Sequence, residues 1–360
     1  MVKALKKRID IFKEIFSKEG IDGFLIASER NIFYFTGASG ANFLFIPAKG
    51  DCKVYVYGVN YDAVKVEAKN CQVELIERGE KPENKIVQQV EKHEIKVLGF
   101  DSLLAQTFIT LKRALRGKAK LKPKNELVWN LRKIKDDKEL SLMRKAAEIT
   151  SEGMKTAYEV LKAGMREYEV AAEIEYAMRK AGSWSLAFDT IVASGPRSAY
   201  PHGWCTDRKI RKGELVVVDI GAVYQNYRAD MTRTLVAGKP TEKQLRIFNV
   251  VREAQEKAFR KVRAGRKART VDRVARKVIE DAGFGEYFVH GTGHGIGLET
   301  HEPPTLNSQS KDKLEARNVV TVEPGIYITG FGGIRIEDTV LVKEKQAERL
   351  TKGPYTLTLG

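Results

Sequence analysis

A chain of 360 residues, 42% of them hydrophobic, is long enough for two domains with separate cores, and no apolar window approaches the roughly 18 residues of a membrane span. Its net charge of +16 does not mark one basic module: residues 1–127 hold 23 Lys+Arg against 16 Asp+Glu, and residues 128–360 hold 40 against 31, so both parts are basic. Three cysteines, Cys52, Cys71 and Cys205, form neither a CxxC pair nor an even disulfide framework, which fits a reducing, cytoplasmic setting with Cys205 as a buried free thiol.

The N-terminal MVKALKKRIDIFKEIF is basic but lacks a signal-peptide apolar core and a small-residue cleavage site. Leu5, Ile9, Phe12 and Phe16 recur at helical spacing, so it reads as a helix packed on a domain. FLIAS (24–28), IFYF (32–35), FLFIP (43–47) and KVYVYG (53–58) read as strands, KIVQQVEKH (85–93) as a helix and IKVLGF (95–100) as a further strand. Together they make an α/β domain whose single histidine, His93, has charged neighbours on a helix and reads as a surface residue. The polar stretch 118–124, with Pro123, puts the domain boundary near residue 127.

From Asp136 a helical pattern opened by acidic residues runs to about residue 162, and a second helix spans about 167–180 and stops at Gly182. Strands TIVAS (190–194), ELVVVDIGAVY (214–224) and DMTRTLVAG (230–238) follow, then helices at about 241–263 and 269–281. VVTVEPGIYI (319–328) and GIRIEDTVLV (333–342) read as the last strands. Residues 162–182 align without gaps to 263–283, with Ala-Gly pairs at both ends and Val170 facing Val271. Two explanations stand: helices commonly end in glycine, or this domain has two similar α/β halves with a site where they meet. Residues 252–280, with eleven Lys+Arg and four Asp+Glu, read as a solvated helix face or as a nucleic-acid contact. They lack the aromatic interleaving that stacking on bases needs.

Four of the five histidines fall between 202 and 301, and acids interrupt apolar strands in the same domain. Asp219 ends VVVD, Asp230 begins the next strand, Glu323 follows VVTV and Glu337 lies in GIRIED. A buried carboxylate is costly unless a cation or several donors satisfy it, and four in one domain are better explained by a shared positive charge. His294 lies in HGTGHGIG, where glycines permit close backbone approach. His290 and His294 are four apart, yet glycine follows His290, so this is not the HExxH helix. One imidazole and four carboxylates suit a pair of divalent ions such as manganese, cobalt or zinc rather than a structural zinc.

Asp219, Asp230, His294, Glu323 before Pro-Gly and Glu337 in RIED together resemble the ligand pattern of the pita-bread metallopeptidases, over essentially the whole domain from residue 128. LRKIKDDKELSLMRKA (131–146) resembles the helix that opens that family's catalytic domain, and ERNIFYFTG (29–37) resembles the N-terminal domain of its proline-specific members. The resemblance implies an α/β protein: a small creatinase/prolidase-like N-terminal α/β domain (1–127) and a C-terminal pita-bread catalytic domain (128–360), α+β with a pseudo-twofold. It implies two divalent ions per chain, with Asp219 on one, Asp230 and Glu337 bridging both, and His294 and Glu323 completing the second. A hydroxide bridging the ions would attack the scissile carbonyl, with Glu323 accepting the proton. His202 in AYPHG and His301 in ETHEPP match histidines that contact substrate and stabilise the tetrahedral intermediate. His290 matches another histidine beside the site, Arg335 orients ligand carboxylates, and Tyr327 and Phe188 belong to the pocket wall or to the core.

The implied activity is hydrolysis of Xaa-Pro bonds as an Xaa-Pro dipeptidase (prolidase). The alternative is an Xaa-Pro aminopeptidase (aminopeptidase P) acting on longer peptides, and a remote third is a non-catalytic binding protein of the same fold. Some archaeal-type prolidases carry an arginine four residues after the histidine equivalent to His301, available for the dipeptide carboxylate; here that position is Thr305. A homodimer is implied, with the N-terminal domain covering or completing the partner's site, and no membrane or nucleic-acid partner is expected.

Overall fold

In the computed structural model, which describes residues 2–358, the chain divides into the units Met1–Arg132 and Lys133–Gly360. The helices Val2–Glu14 and Phe16–Glu19 bury Leu5, Ile9, Phe12 and Phe16, and the Phe12 ring meets Phe24 edge-on at 4.9 Å. The first unit holds a six-stranded mixed sheet in the order Cys71–Ile76, Cys52–Tyr57, Phe43–Pro47, Gly23–Ile26, Val97–Phe100, Lys120–Pro123.

IFYF, expected as a strand, lies instead in the helix Glu29–Thr36, which ends at Gly37 with φ 78. Ile32, Phe35 and Thr36 fall on one helical face and are all fully buried, so tertiary burial overrides the strand preference of aromatic residues. The strand Lys120–Pro123, unexpected in a polar stretch, pairs with Val97–Phe100 at the sheet edge. Proline and charged side chains are tolerated there because one side of the ladder faces no partner. The expected boundary near residue 127 falls inside the helix Asn125–Arg132, which ends the first unit.

The second unit opens with the helix Asp137–Val160, whose first turn is closed by reciprocal bonds between Asp136 and Glu139. That helix packs with Glu167–Lys180 over a core containing Val170, Met178, Val216 and Leu235. The helices Glu242–Phe259 and Ala268–Asp281 pack as a second pair over Val271, Ile279, Val320 and Val340. Val170 and Val271, matched in the repeat, are each fully buried in separate cores, the arrangement expected of two similar halves.

Four of the eleven basic residues in the stretch 252–280 are paired along their own helices. Lys257–Glu253, Arg260–Glu256, Arg276–Asp272 and Lys277–Asp281 are ion pairs four residues apart, which favours the solvated-face reading.

Three of the long strands expected in this unit are each cut in two. ELVVVDIGAVY becomes Leu215–Ile220 and Ala222–Tyr224, VVTVEPGIYI becomes Val319–Val322 and Gly325–Ile328, and GIRIEDTVLV becomes Gly332–Arg335 and Asp338–Leu341. In each case the two pieces join different sheets. Gly221 shows why at the first break: a Cβ there would stand 2.5 Å from the Ala229 carbonyl oxygen, so only glycine lets the backbones approach so closely.

Candidate metal centre

The breaks in the strands deliver the acids. Asp219 lies near the end of the central strand Leu215–Ile220, opposite Thr232 on one side and Ile191 on the other. Asp230 immediately precedes Met231–Val236, Glu323 lies between Val319–Val322 and Gly325–Ile328, and Glu337 between Gly332–Arg335 and Asp338–Leu341. His294 is the middle residue of the short strand Gly293–Gly295. Ligand-capable atoms of Asp230, His294 and Glu337 all lie within 4.8 Å of one another. His294 Nε2 is 3.3 Å from Glu323 Oε1 and 3.9 Å from Asp230 Oδ2. Asp219 joins through Arg335, whose Nη2 donates to Asp219 Oδ2 at 2.6 Å.

Electrostatics define what this cluster needs. Burial, then the Glu337, Asp219 and Glu323 carboxylates, push Asp230 well above the ordinary carboxylate range. Burial and its acidic neighbours do the same to Glu337, and burial also raises Glu323. Asp219 Oδ1, Asp230 Oδ1 and Glu337 Oε1 are buried with no hydrogen-bond partner among the described residues. Buried oxygens of this kind are rare unless a cation takes their lone pairs. His294 Nδ1 lies 3.0 Å from the Gly295 carbonyl oxygen, which can only accept, so the hydrogen sits on Nδ1 and the Nε2 lone pair faces the acids. Burial keeps that imidazole neutral by lowering its pKa. Oxygen-rich, partly imidazole, buried and short of positive charge, the donor set fits divalent cations.

A second layer holds these groups in place. Thr232 Oγ1 donates to Glu337 Oε2 at 2.6 Å and accepts from Arg335 Nε at 3.0 Å. Thr321 Oγ1 accepts from the His294 backbone N–H at 3.1 Å and donates to Glu323 Oε1 at 3.2 Å. Arg335 Nη1 donates to the Tyr327 hydroxyl at 2.7 Å, which lies 2.8 Å from His290 Nε2, while His290 Nδ1 is 2.7 Å from the Gly291 carbonyl oxygen. Sequence reasoning missed Thr232 and Thr321. Their signal was hydroxyl residues inside strands that are buried at every position.

A cavity of about 860 Å³ opens on the cluster, and Phe188, His202, Trp204, Val289, His301 and Asn307 line it beside the acids. His202 and His301 are exposed there, with the His301 ring centroid 4.3 Å from that of His294. His290 also lines the cavity, but both its ring nitrogens are engaged; burial lowers the pKa of His290 and of His301. Tyr327 is buried in the hydrogen-bond network rather than in the cavity wall. Cys205 stands apart from the cavity, donates from Sγ to the Thr190 carbonyl, and burial pushes its thiol up to about 11, the opposite of an activated nucleophile.

His202 and Trp204 ride on a segment clamped by one residue that the sequence did not single out. Glu167, fully buried at the start of its helix, accepts from the N–H and Oγ of Ser194 at 2.8 and 2.7 Å and from the N–H and Oγ1 of Thr206 at 2.9 and 2.6 Å. It also pairs with Arg197 between them.

Residues 141–344 match the model of metallopeptidase family M24, and residues 8–134 match that of the creatinase/prolidase N-terminal domain. The chain belongs to metallopeptidase family M24. Within the family it is 40% identical over 349 residues to the Xaa-Pro dipeptidase of Pyrococcus horikoshii, covering 97% of each chain. Its fold is similar to that of the Xaa-Pro dipeptidase from Bacillus anthracis, with a TM-score of 0.93 and 36% identity over 98% of this chain and 99% of that one. The X-Pro aminopeptidase from Thermotoga maritima is also similar, with a TM-score of 0.85 and 35% identity over 94% and 98%. The M24 membership and these likenesses bear out the expected fold, a small creatinase/prolidase-like domain followed by a pita-bread metallopeptidase domain. Among the described residues, no helix is long and apolar enough to cross a membrane.

Proposed function

We propose that this chain hydrolyses the bond between an N-terminal residue and proline, as an Xaa-Pro dipeptidase, with two divalent ions held by Asp219, Asp230, His294, Glu323 and Glu337. The carrying observation is the buried cluster of four carboxylates and one neutral imidazole, with three oxygens lacking donors, at the floor of the cavity. Manganese, cobalt and zinc all suit such donors. When bound, divalent cations lower the pKa of water and polarise a carbonyl.

The protein's own groups supply the rest. Asp230 and Glu337 would be shared between the two ions. Glu323, 3.3 Å from His294 and open on its other oxygen, takes the proton from the attacking water and passes it to the proline nitrogen. His301 and His202, exposed in the cavity, donate to the carbonyl oxygen as charge develops there. Arg335 fixes Asp219 from outside the cluster, and Tyr327 and His290 buttress Arg335 in turn. Phe188 and Trp204 offer apolar surface to the proline ring.

A panel of Xaa-Pro dipeptides and longer Xaa-Pro peptides, assayed with each metal, tests the reading; no turnover of any of them with any metal would overturn it. One observation favours the aminopeptidase reading. Among the described residues lining the cavity, Arg335 is the sole Lys or Arg, and its donors are committed to Asp219, Thr232 and Tyr327. Thr305 is neutral, so this chain's own cavity offers a dipeptide carboxylate no free cation. We also assign a homodimer in which the N-terminal domain (1–127) covers the partner's cavity. Sedimentation giving only monomer, with full activity, would refute it.

A further inference from the structure

Cysteines that stand 19 positions apart in the sequence meet in the N-terminal sheet. Cys52 and Cys71 are the first residues of adjacent parallel strands and are direct partners in the register. Directly opposed residues on neighbouring strands lie roughly 4.8 Å apart, inside the ~4.4–6.8 Å Cα window of disulfides, and their side chains leave the same face of the sheet. The two thiols are close enough to perturb each other's ionisation. Cys52 is buried, whereas Cys71 is half-buried at the start of the edge strand. Both line a cavity of about 330 Å³ together with Lys6, Asp10 and Lys13.

We infer that Cys52 and Cys71 form a reversible dithiol–disulfide site, with a small disulfide such as oxidised glutathione as its electron acceptor. Cys71, the reachable member, attacks one sulfur of the acceptor as a thiolate and releases one reduced glutathione. Cys52 then attacks Cys71 Sγ in the mixed disulfide and expels the second glutathione. Two thiols thus lose two protons and two electrons, one S–S bond forms in the protein, and the S–S bond of the acceptor is reduced. The surroundings favour the second step: the neighbouring Cys71, then Lys13, lower the pKa of Cys52, the resolving thiol, whereas Cys52 and burial raise that of Cys71. Because each cysteine opens its strand, the ladder from Lys53–Gln72 onward is not disturbed when the sulfurs close. Cys205, in the other unit and without a partner cysteine, is the internal control.

The test equilibrates the full-length, folded, metal-loaded protein with reduced and oxidised glutathione over a range of ratios. Free thiols are then trapped with N-ethylmaleimide at low pH, and the peptides are mapped by mass. The expected result is joint disappearance of the alkylated Cys52 and Cys71 peptides along one sigmoidal curve. They should be replaced by a single cross-linked species lighter by two hydrogens, while Cys205 stays alkylated throughout. Reduction should restore both together. In Cys52→Ser the intermediate has no resolving partner, so Cys71 should accumulate as a mixed disulfide with glutathione. Alkylation of both cysteines at every ratio, or stable single glutathione adducts in the wild-type protein, would overturn the inference without recourse to any variant.

Discussion

Glu167→Gln removes one charge and almost no volume from a site that touches neither the acid cluster nor substrate. The Glu167 carboxylate receives five donors: the Ser194 and Thr206 N–H groups, their two hydroxyls, and Arg197. An amide keeps one acceptor oxygen and turns an NH₂ toward the rest. With its oxygen toward Thr206 and Arg197, the NH₂ faces the buried Ser194 N–H, and a donor left unsatisfied costs about 1–3 kcal/mol. Ser194 Oγ can rotate to accept from the amide, so that bond is recoverable. Arg197 keeps only a neutral partner, but at 26% side-chain exposure water covers part of the loss, adding about 1 kcal/mol. The total, roughly 2–4 kcal/mol, corresponds to a fall in melting temperature of about 5–15 °C for a unit of this size. Because the clamp holds both ends of the segment carrying His202 and Trp204, kcat/KM on an Xaa-Pro substrate should fall by about 10–100-fold, while metal content stays normal. Calorimetry, elemental analysis and steady-state kinetics below the new melting temperature measure all three. An unchanged kcat/KM in a destabilised protein would reduce Glu167 to a fold element, and an unchanged melting temperature would refute the hydrogen-bond reasoning itself.

Asp230→Ala and Glu337→Ala should each lose most activity together with bound metal, since each acid is assigned to both ions; fully active wild-type enzyme holding no more than one tight ion by elemental analysis would defeat the dinuclear scheme. His301→Ala should keep metal and melting temperature near normal while turnover falls by ~10²–10³, the typical worth of a donor that meets transition-state charge; unchanged turnover would remove His301 from the chemistry. Chelated apoprotein should lose stability as pH rises from about 4 toward neutrality. The folded Asp230, Glu323 and Glu337 carboxyls are raised, so the folded state holds protons that the unfolded chain has released. Divalent metal should abolish that slope, and parallel melting-temperature curves with and without metal would contradict it.

The acids are legible in the sequence because a carboxylate ending VVVD or following VVTV contradicts a pattern that otherwise signals a strand buried on both faces. Helices are legible for the same kind of reason: the expected span 167–180 coincides with Glu167–Lys180, its amphipathic period unbroken between Arg166 and Gly182. What local pattern does not carry is where a chain leaves one sheet for another. In VVTVEPGIYI the Pro324-Gly325 pair does mark a break locally, but nothing in the pattern says that the two pieces join different sheets. The supporting shell is hidden more deeply, since Thr232 finds Glu337 across 105 residues and Glu167 finds Thr206 across 39. No periodicity records such pairings. The cysteines are the same case: spacing alone shows no pair, and the register of two parallel strands makes one.

Arg335 has a consequence for the hydrogen atoms themselves. A guanidinium has donors and no acceptor. Thr232 must therefore receive from Arg335 Nε, which leaves its own hydrogen for Glu337 alone. Tyr327 must receive from Nη1, so its hydrogen goes to His290 Nε2, and the remaining hydrogen of that ring goes to Gly291. Two rotors and one tautomer are set by a single residue, and the network around the acids has one arrangement where a mixed set of hydroxyls and imidazoles would have several. Such a network has no proton disorder to freeze out when a substrate arrives, and its dipoles already point the way they will during the reaction. Neutron diffraction would see these hydrogens at full occupancy in single positions. A lysine at 335, with its three donors on one nitrogen, could not hold all of them, and the hydroxyls would begin to turn.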